Sequence, residues 1–212
     1  GKPLCEGSWD YIDPTVLIDD DGKAYLYWGN PELYYVELNP DMISMRGFVR
    51  HFEMDEKSFG GPSMHARRRM AEERAKAMKA AQEPPVYKDV YTEGPWISKR
   101  DSTYYMLYAA GGVPEHIAYS TAQKPLGPWT YQGVIMPQSN SDKATGKVGT
   151  DSFTNPCGII NFRGHDYFFY HTGHLPGGGG FGRSVAVEEF RYNADGSFPT
   201  IHPTLEGITQ PL

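Results

Sequence analysis

The 212-residue chain carries 26 Asp and Glu against 20 Lys and Arg, a formal charge of −6, which argues against charge-driven binding of nucleic acid because that needs a net basic surface or a broad basic patch. Hydrophobic residues make up 39% and charged residues 22%, enough apolar matter for a packed core and too much for a disordered chain. No run of about 18 apolar residues offers a membrane-spanning helix.

The aromatic content, 15 Tyr, 10 Phe and 4 Trp together with 24 Gly and 17 Pro, predicts strands and tight turns. In chain order, Thr15 to Ile18 is a short β-rich run, Asp20-Asp21-Gly22 a turn, Ala24-Tyr25-Leu26-Tyr27-Trp28 an aromatic strand, and Leu33 to Leu38 a further β stretch. A helical insert follows over about 64–83, where Ala66 to Gln82 holds strong helix formers and no Gly or Pro. Gly60-Gly61-Pro62 and Glu83-Pro84-Pro85 bound it. Its apolar stripe, Ala66, Met70, Ala77 and Ala81, is thin, and its basic residues outnumber Glu72 and Glu73. That pattern reads as a solvated excursion, with a lid or a contact with a partner or acidic polymer as the alternative.

The β pattern then returns twice. Trp96 to Ser98, the turn Lys99-Arg100-Asp101-Ser102, the strand Tyr104 to Tyr108 and the stretch His116 to Thr121 form a second unit. Ile159 to Phe162, the turn Arg163-Gly164, the strand Asp166 to Tyr170 and the stretch Ser184 to Tyr192 form a third. Twelve positions before Tyr25, Tyr105 and Tyr167 stand Asp13, Glu93 and Asn155, each followed within two residues by a proline: Pro14, Pro95 and Pro156. Repeated aromatic meanders of this kind are the mark of β-propeller blades. The inner strand of a blade begins near the axis, so the shared register predicts that Asp13, Glu93 and Asn155 converge on one pocket. Taken singly, such dipeptides are also ordinary turn openers.

Two carboxylates at one place in neighbouring blades suit the hydrolysis of a glycosidic bond, where one group gives a proton to the leaving oxygen and another stays ionised. Glu93, in Tyr91-Thr92-Glu93-Gly94-Pro95-Trp96, has aromatic neighbours to desolvate its carboxyl and a glycine to admit a ligand. Asp13 would carry the negative charge beside it.

Ile12-Asp13-Pro14-Thr15-Val16 leading into Asp19-Asp20-Asp21-Gly22-Lys23-Ala24-Tyr25-Leu26-Tyr27-Trp28-Gly29, then Glu93-Gly94-Pro95-Trp96 and Gly127-Pro128-Trp129, resembles glycoside hydrolase family 43. The resemblance covers nearly the whole chain outside the insert. It implies an all-β, five-bladed β-propeller acting on β-xylosides and α-L-arabinofuranosides by inversion, with Glu93 as the general acid and Asp13 as the carboxylate that tunes its pKa. Arg183, in Gly182-Arg183-Ser184-Val185, matches an arginine that the family directs into the pocket, an exposed strand charge being the alternative. Trp28, Phe153 and His116 are candidate pocket walls, each with a core role as its alternative.

Two departures shape the expectation. The family's general base belongs to an Asp-Pro segment well upstream of the Asp13 motif, and only twelve residues precede Asp13. Three recognisable units also fall short of five blades, so the chain is expected to be an incomplete propeller, impaired alone and prone to self-association or to complementation by the missing blades. A non-catalytic carbohydrate-binding or scaffold fragment is the alternative function. In the third unit, Pro156 stands where the family places a histidine near a central calcium or water cluster, so no cofactor is required and a structural calcium is left open. The expected partner is a xylo- or arabino-oligosaccharide, with neither nucleic acid nor membrane.

The remaining signals are weaker. Cys5 and Cys157 give neither a disulfide framework nor metal-type spacing. Asp19-Asp20-Asp21-Gly22 reads as a hairpin turn, the spacing of His165, His171 and His174 is not a zinc pattern, and Gly177 to Gly180 reads as a loop at the pocket rim. Gly1-Lys2-Pro3-Leu4 has no signal-peptide character. The family implies a secreted or periplasmic bacterial enzyme, with the cytoplasm as the alternative.

Overall fold

The computed structural model describes residues 2–77, 85–137 and 139–208. Within them the chain forms three antiparallel sheets. The first runs in chain order through β1 (Thr15–Ile18), β2 (Ala24–Trp28), β3 (Tyr34–Leu38) and β4 (Met45–His51). After the short helices α1 (Glu56–Phe59) and α2 (Met64–Lys76), the second sheet follows as β5 (Tyr91–Arg100), β6 (Thr103–Ala110), β7 (His116–Ala122) and β8 (Thr130–Met136). The third has three strands, β9 (Gly158–Phe162), β10 (His165–Thr172) and β11 (Ser184–Phe190).

Turn chemistry sets the first hairpin. Asp19 N–H donates to the Lys23 carbonyl at 2.8 Å, Gly22 N–H donates back to the Asp19 carbonyl at 2.9 Å, and Gly22 takes the positive φ of +80° that this tight turn requires. The tyrosines of the repeat hold equivalent places: Tyr25 pairs with Leu17, Tyr105 with Ser98 and Tyr167 with Ile160. The twelve-residue spacing in the sequence is therefore a repeat of strand register.

The sheets stack through their faces. Tyr27, Phe59, Tyr91, Tyr108 and Trp129 join the first sheet, α1 and the second sheet in one buried cluster. Tyr105, Leu107, Phe168, Tyr170 and Phe190 join the second sheet to the third. Each fully buried side chain of this size stabilises the stack by about 1.5–3 kcal/mol. The buried phenols find carbonyls across the seam, Tyr27 on Pro125 and Tyr91 on Gly29, both at 2.6 Å. The inner strands then come together, β1 against β5 and β5 against β9.

Helix α2 matches the expected insert over its first part. Ser63 Oγ caps it by accepting from Ala66 N–H at 3.1 Å, and Ser63 in turn donates to Glu32 at 2.5 Å. The helix buries no residue, so Ala66 and Met70 gain no partner sheet. The expected residues 78–83, Ala81 among them, lie outside the described residues.

Candidate active site

The chain enters β1 through Ile12-Asp13-Pro14, and Gly29 N–H donates to the Ile12 carbonyl at 2.9 Å, pinning this entry to the end of β2. Asp13 has a φ of +58°, a left-handed conformation that aspartate tolerates better than most residues. Its carboxyl accepts the Gly94 N–H. Burial raises the Asp13 pKa above the ordinary range, opposed by that hydrogen bond and by the charges of Arg183 and His171.

Glu93 lies near the start of β5, where the register with β6 shifts on both sides of it. An irregularity of this kind re-aims a side chain. Asn30 Nδ2 donates to Glu93 Oε2. Burial and then the negative charge of Asp13 raise the Glu93 pKa, with Asn30 and Arg183 pulling it down. Glu93 thus senses the charge of Asp13, which strengthens its hold on its proton.

Arg183 sits just before β11 and donates through Nη1 to Thr154 Oγ1. Its positive charge reaches Asp13, Glu93 and Glu115. His171 lies with its Nδ1 3.3 Å from the Thr154 carbonyl, and burial followed by the charge of Arg183 lowers its pKa. A cleft of about 590 Å³ opens beside this group, lined among others by Asp13, Gly94, Trp96, Pro156, Phe169 and His171. Its walls are mostly apolar and include Trp96 and Phe169, a form suited to a sugar whose ring lies on an aromatic face.

The structure brings Asp13, Glu93 and Arg183 together. It adds Asn30, Glu115 and His171, which the sequence did not mark as site residues. Among the other candidates, Trp28 is only 3% exposed and packs inside the first sheet against Tyr11 and Tyr34, with ring centroids 6.1 and 5.8 Å away. Phe153 is exposed and meets Phe181 edge to face at 5.1 Å. His116 Nε2 lies 2.9 Å from Asp89 Oδ1. None of the three lines the cleft, and of Asp13, Glu93 and Arg183 only Asp13 does. Glu115, immediately before β7, is the neighbour whose carboxyl senses the charges of Glu93 and Asp13.

Asn155 departs from the expected convergence. It is fully buried, and its Nδ2 donates to the Glu115 carbonyl at 2.8 Å, while its Oδ1 has no hydrogen-bond partner among the described residues. Its neighbour Pro156 lines the cleft instead and packs against Gly94. His165 pairs with Glu189 at 2.6 Å and His174 with Asp151 at 3.4 Å. Gly180 packs under the ring of Phe153, away from the cleft lining. Among the described residues no group of three or more His, Cys, Asp or Glu is disposed to hold a metal ion. No helix of the described residues is long and apolar enough to cross a membrane.

The family model for glycosyl hydrolases family 43 matches residues 2–198. A β-D-galactofuranosidase of Aspergillus niger is 26% identical over 98% of this chain and 52% of its own length. A xylosidase/arabinosidase of Bacteroides ovatus is 29% identical over 92% and 58% respectively. The chain spans about half the length of such curated relatives. A family 43 enzyme of Xanthomonas citri, solved in complex with xylose, superposes with a TM-score of 0.67 at 26% identity, covering 93% of this chain and 58% of that one. The three stacked meanders are accordingly propeller blades, and the chain belongs to glycosyl hydrolases family 43.

Proposed function

We propose that this chain is part of a glycoside hydrolase that cleaves xylan- or arabinoxylan-derived glycosides with inversion. Glu93 donates the proton to the leaving oxygen, Asp13 is the ionised neighbour that keeps that proton in place, and Arg183 grips substrate hydroxyls from the opposite side. The observation that carries this reading is the coupling of the two carboxyls: burial and the charge of Asp13 both raise the Glu93 pKa, the condition a general acid needs near neutral pH. The name of the Bacteroides ovatus xylosidase/arabinosidase points to the same substrates, that of the Aspergillus niger β-D-galactofuranosidase to another furanoside. An inverting enzyme needs a second working carboxyl about 6.5–9.5 Å from the first, with water between. We assign that base to polypeptide outside these 212 residues, in keeping with the half-length match to the relatives.

The test compares wild type with Glu93→Gln, in the 212-residue chain and in a version extended to the relatives' length, on xylobiose and on nitrophenyl β-xyloside and α-L-arabinofuranoside. The expected loss is about 10²- to 10⁴-fold on xylobiose. It is smaller on the nitrophenyl glycosides, whose leaving group departs without a proton. Equal rates from both forms on xylobiose would remove Glu93 from the reaction.

The cleft also supports a second reading, sugar binding without turnover, because the aromatic walls Trp96 and Phe169 both lie within this chain. Saturable binding of xylotriose by the 212-residue chain, with no product released by either length, would favour it.

A further inference from the structure

Behind the acid pair, Glu115 and Asn155 hold each other at two points. Asn155 N–H donates to Glu115 Oε2 at 2.8 Å, and Asn155 Nδ2 donates to the Glu115 carbonyl at 2.8 Å. Ser139 Oγ donates to that same carbonyl at 2.6 Å. Glu115 is 1% exposed and Asn155 is 0% exposed. The clamp continues covalently into Pro156, which presses on Gly94 so closely that a Cβ on the glycine would lie 2.8 Å from the proline Cβ. Gly94 follows Glu93, and its N–H holds Asp13.

We propose that Glu115 is a positioning residue for the acid pair: through Asn155 and Pro156 it fixes the seat of Gly94, and with it the placement of the Asp13 carboxyl relative to Glu93. The proposal deepens the assignment of Asp13 and Glu93 made above and rests on it. A carboxyl this deeply buried is costly unless something is gained by it. Burial, the charge of Glu93 and then that of Asp13 push Glu115 up to about 8, against the hydrogen bond from Asn155 and the pull of Arg183. The phenol of Tyr91 faces the same carboxyls. Near neutral pH Glu115 is therefore mostly protonated, and it serves as a neutral brace that adds no third negative charge to the pair.

The test follows the carboxyl carbons by NMR titration of the 212-residue chain, a readout that needs no turnover. Wild type should show one carboxyl titrating near pH 8 that disappears in Glu115→Gln. The glutamine still offers an acceptor to Asn155 N–H, so below pH 7 the Asp13 and Glu93 midpoints should stay within about half a pH unit of wild type. Glu115→Leu offers no acceptor, and both midpoints should fall toward the ordinary carboxylate range by about one pH unit or more as the clamp opens and water enters. A folded leucine variant with both midpoints unchanged would overturn the proposal. If that variant does not fold, Ser139→Ala loosens the same clamp from the other side and should move both midpoints less but in the same direction; no movement there is equally fatal. Shifted midpoints, together with equal xylobiose rates for wild type and Glu93→Gln in the version extended to the relatives' length, would leave the brace standing and remove the catalytic assignment. Unshifted midpoints in a protein inactivated by Glu93→Gln would do the reverse.

Discussion

The backbone N–H of Gly94 donates to the Asp13 carboxyl, so the peptide that follows Glu93 also holds the second carboxyl of the site. Gly94 has a φ of +59° and its Cα faces Pro156, where an added Cβ would meet the proline at 2.8 to 3.1 Å. Gly94→Ala should therefore cost about 1–3 kcal/mol through overpacking and backbone strain. It should also disturb the pairing of Asp13 with Glu93. Urea unfolding measures the first and carboxyl titration the second; wild-type stability in the alanine variant would mean that Pro156 moves aside freely.

The charges around Glu93 predict two opposite displacements of its titration. Asp13 raises the Glu93 pKa and Arg183 lowers it. Asp13→Asn should thus bring the loss of the Glu93 proton to lower pH, and Arg183→Gln should take it to higher pH. In an active protein these appear as shifts of the alkaline limb of kcat/KM, which reports the free enzyme's essential acid. Displacement of both variants in one direction would show that altered burial dominates over charge.

Stability should decline with rising pH across the range that Glu115 spans. Its folded pKa is raised from 4.5 to about 8, so between those values the folded state binds a proton that the unfolded state has released. The unfolding free energy then falls as pH rises. One whole proton of difference between the two states sets a slope of about 1.4 kcal/mol per pH unit, the steepest that a single group can impose. Unfolding midpoints from pH 5 to 8.5 should slope downward in wild type and flatten in Glu115→Gln. An equal slope in both proteins would assign the pH dependence to other groups.

Asp13 and Glu93 are legible in the sequence because each sits at a place fixed by the repeat register, whereas Arg183 enters only through the resemblance to the family. Glu115, Asn30 and His171 carry no such mark. Their roles come from contacts between sheets, Asn30 reaching Glu93 across 63 positions and Asn155 reaching Glu115 across 40. Trp28 has the chemistry of a pocket wall, but β2 is buried along its whole length and leaves its aromatic residues no open face. The outer strands β4 and β8 escape a reading of the sequence for a related reason: β4 is largely exposed, β8 changes from partly exposed to buried along its length, and each has an interior glycine, Gly47 and Gly133, so the alternation that reveals a strand is weak.

The first hairpin is tied to the second sheet by one buried-edge network. Asp19 accepts from Lys99 Nζ at 2.7 Å and from Tyr104 Oη at 2.8 Å. Burial acts to raise the Asp19 pKa, but these hydrogen bonds outweigh it and the net shift is downward. This contribution is present above the ordinary carboxylate range and is lost as pH falls through the lowered folded value. Asp19→Ala should cost about 1.5–3 kcal/mol at pH 7, the range for a charge-assisted hydrogen bond left without its partner. The difference from wild type should shrink in acid. A constant difference down to about pH 2, below the ordinary carboxylate range, would show that the network owes nothing to the ionised carboxylate.

One face of the third sheet is built for contact. Phe168, Tyr170 and Phe190 are buried against the second sheet, while Ile160, Phe162, Phe169 and Val185 remain exposed on the opposite face. Strand register puts these four on the same side, since Ile160 pairs with Tyr167, Phe162 with His165, Phe169 with Val187 and Val185 with His171. Exposed apolar side chains gathered on one sheet face favour association with another chain. The 212-residue chain should therefore self-associate with rising concentration, and Phe162→Glu, which leaves the cleft walls intact, should weaken that association by placing a charge on the face. Light scattering coupled to size exclusion reads both. A monomeric mass at every concentration, or an unchanged association in the glutamate variant, would show that this face does not mediate it.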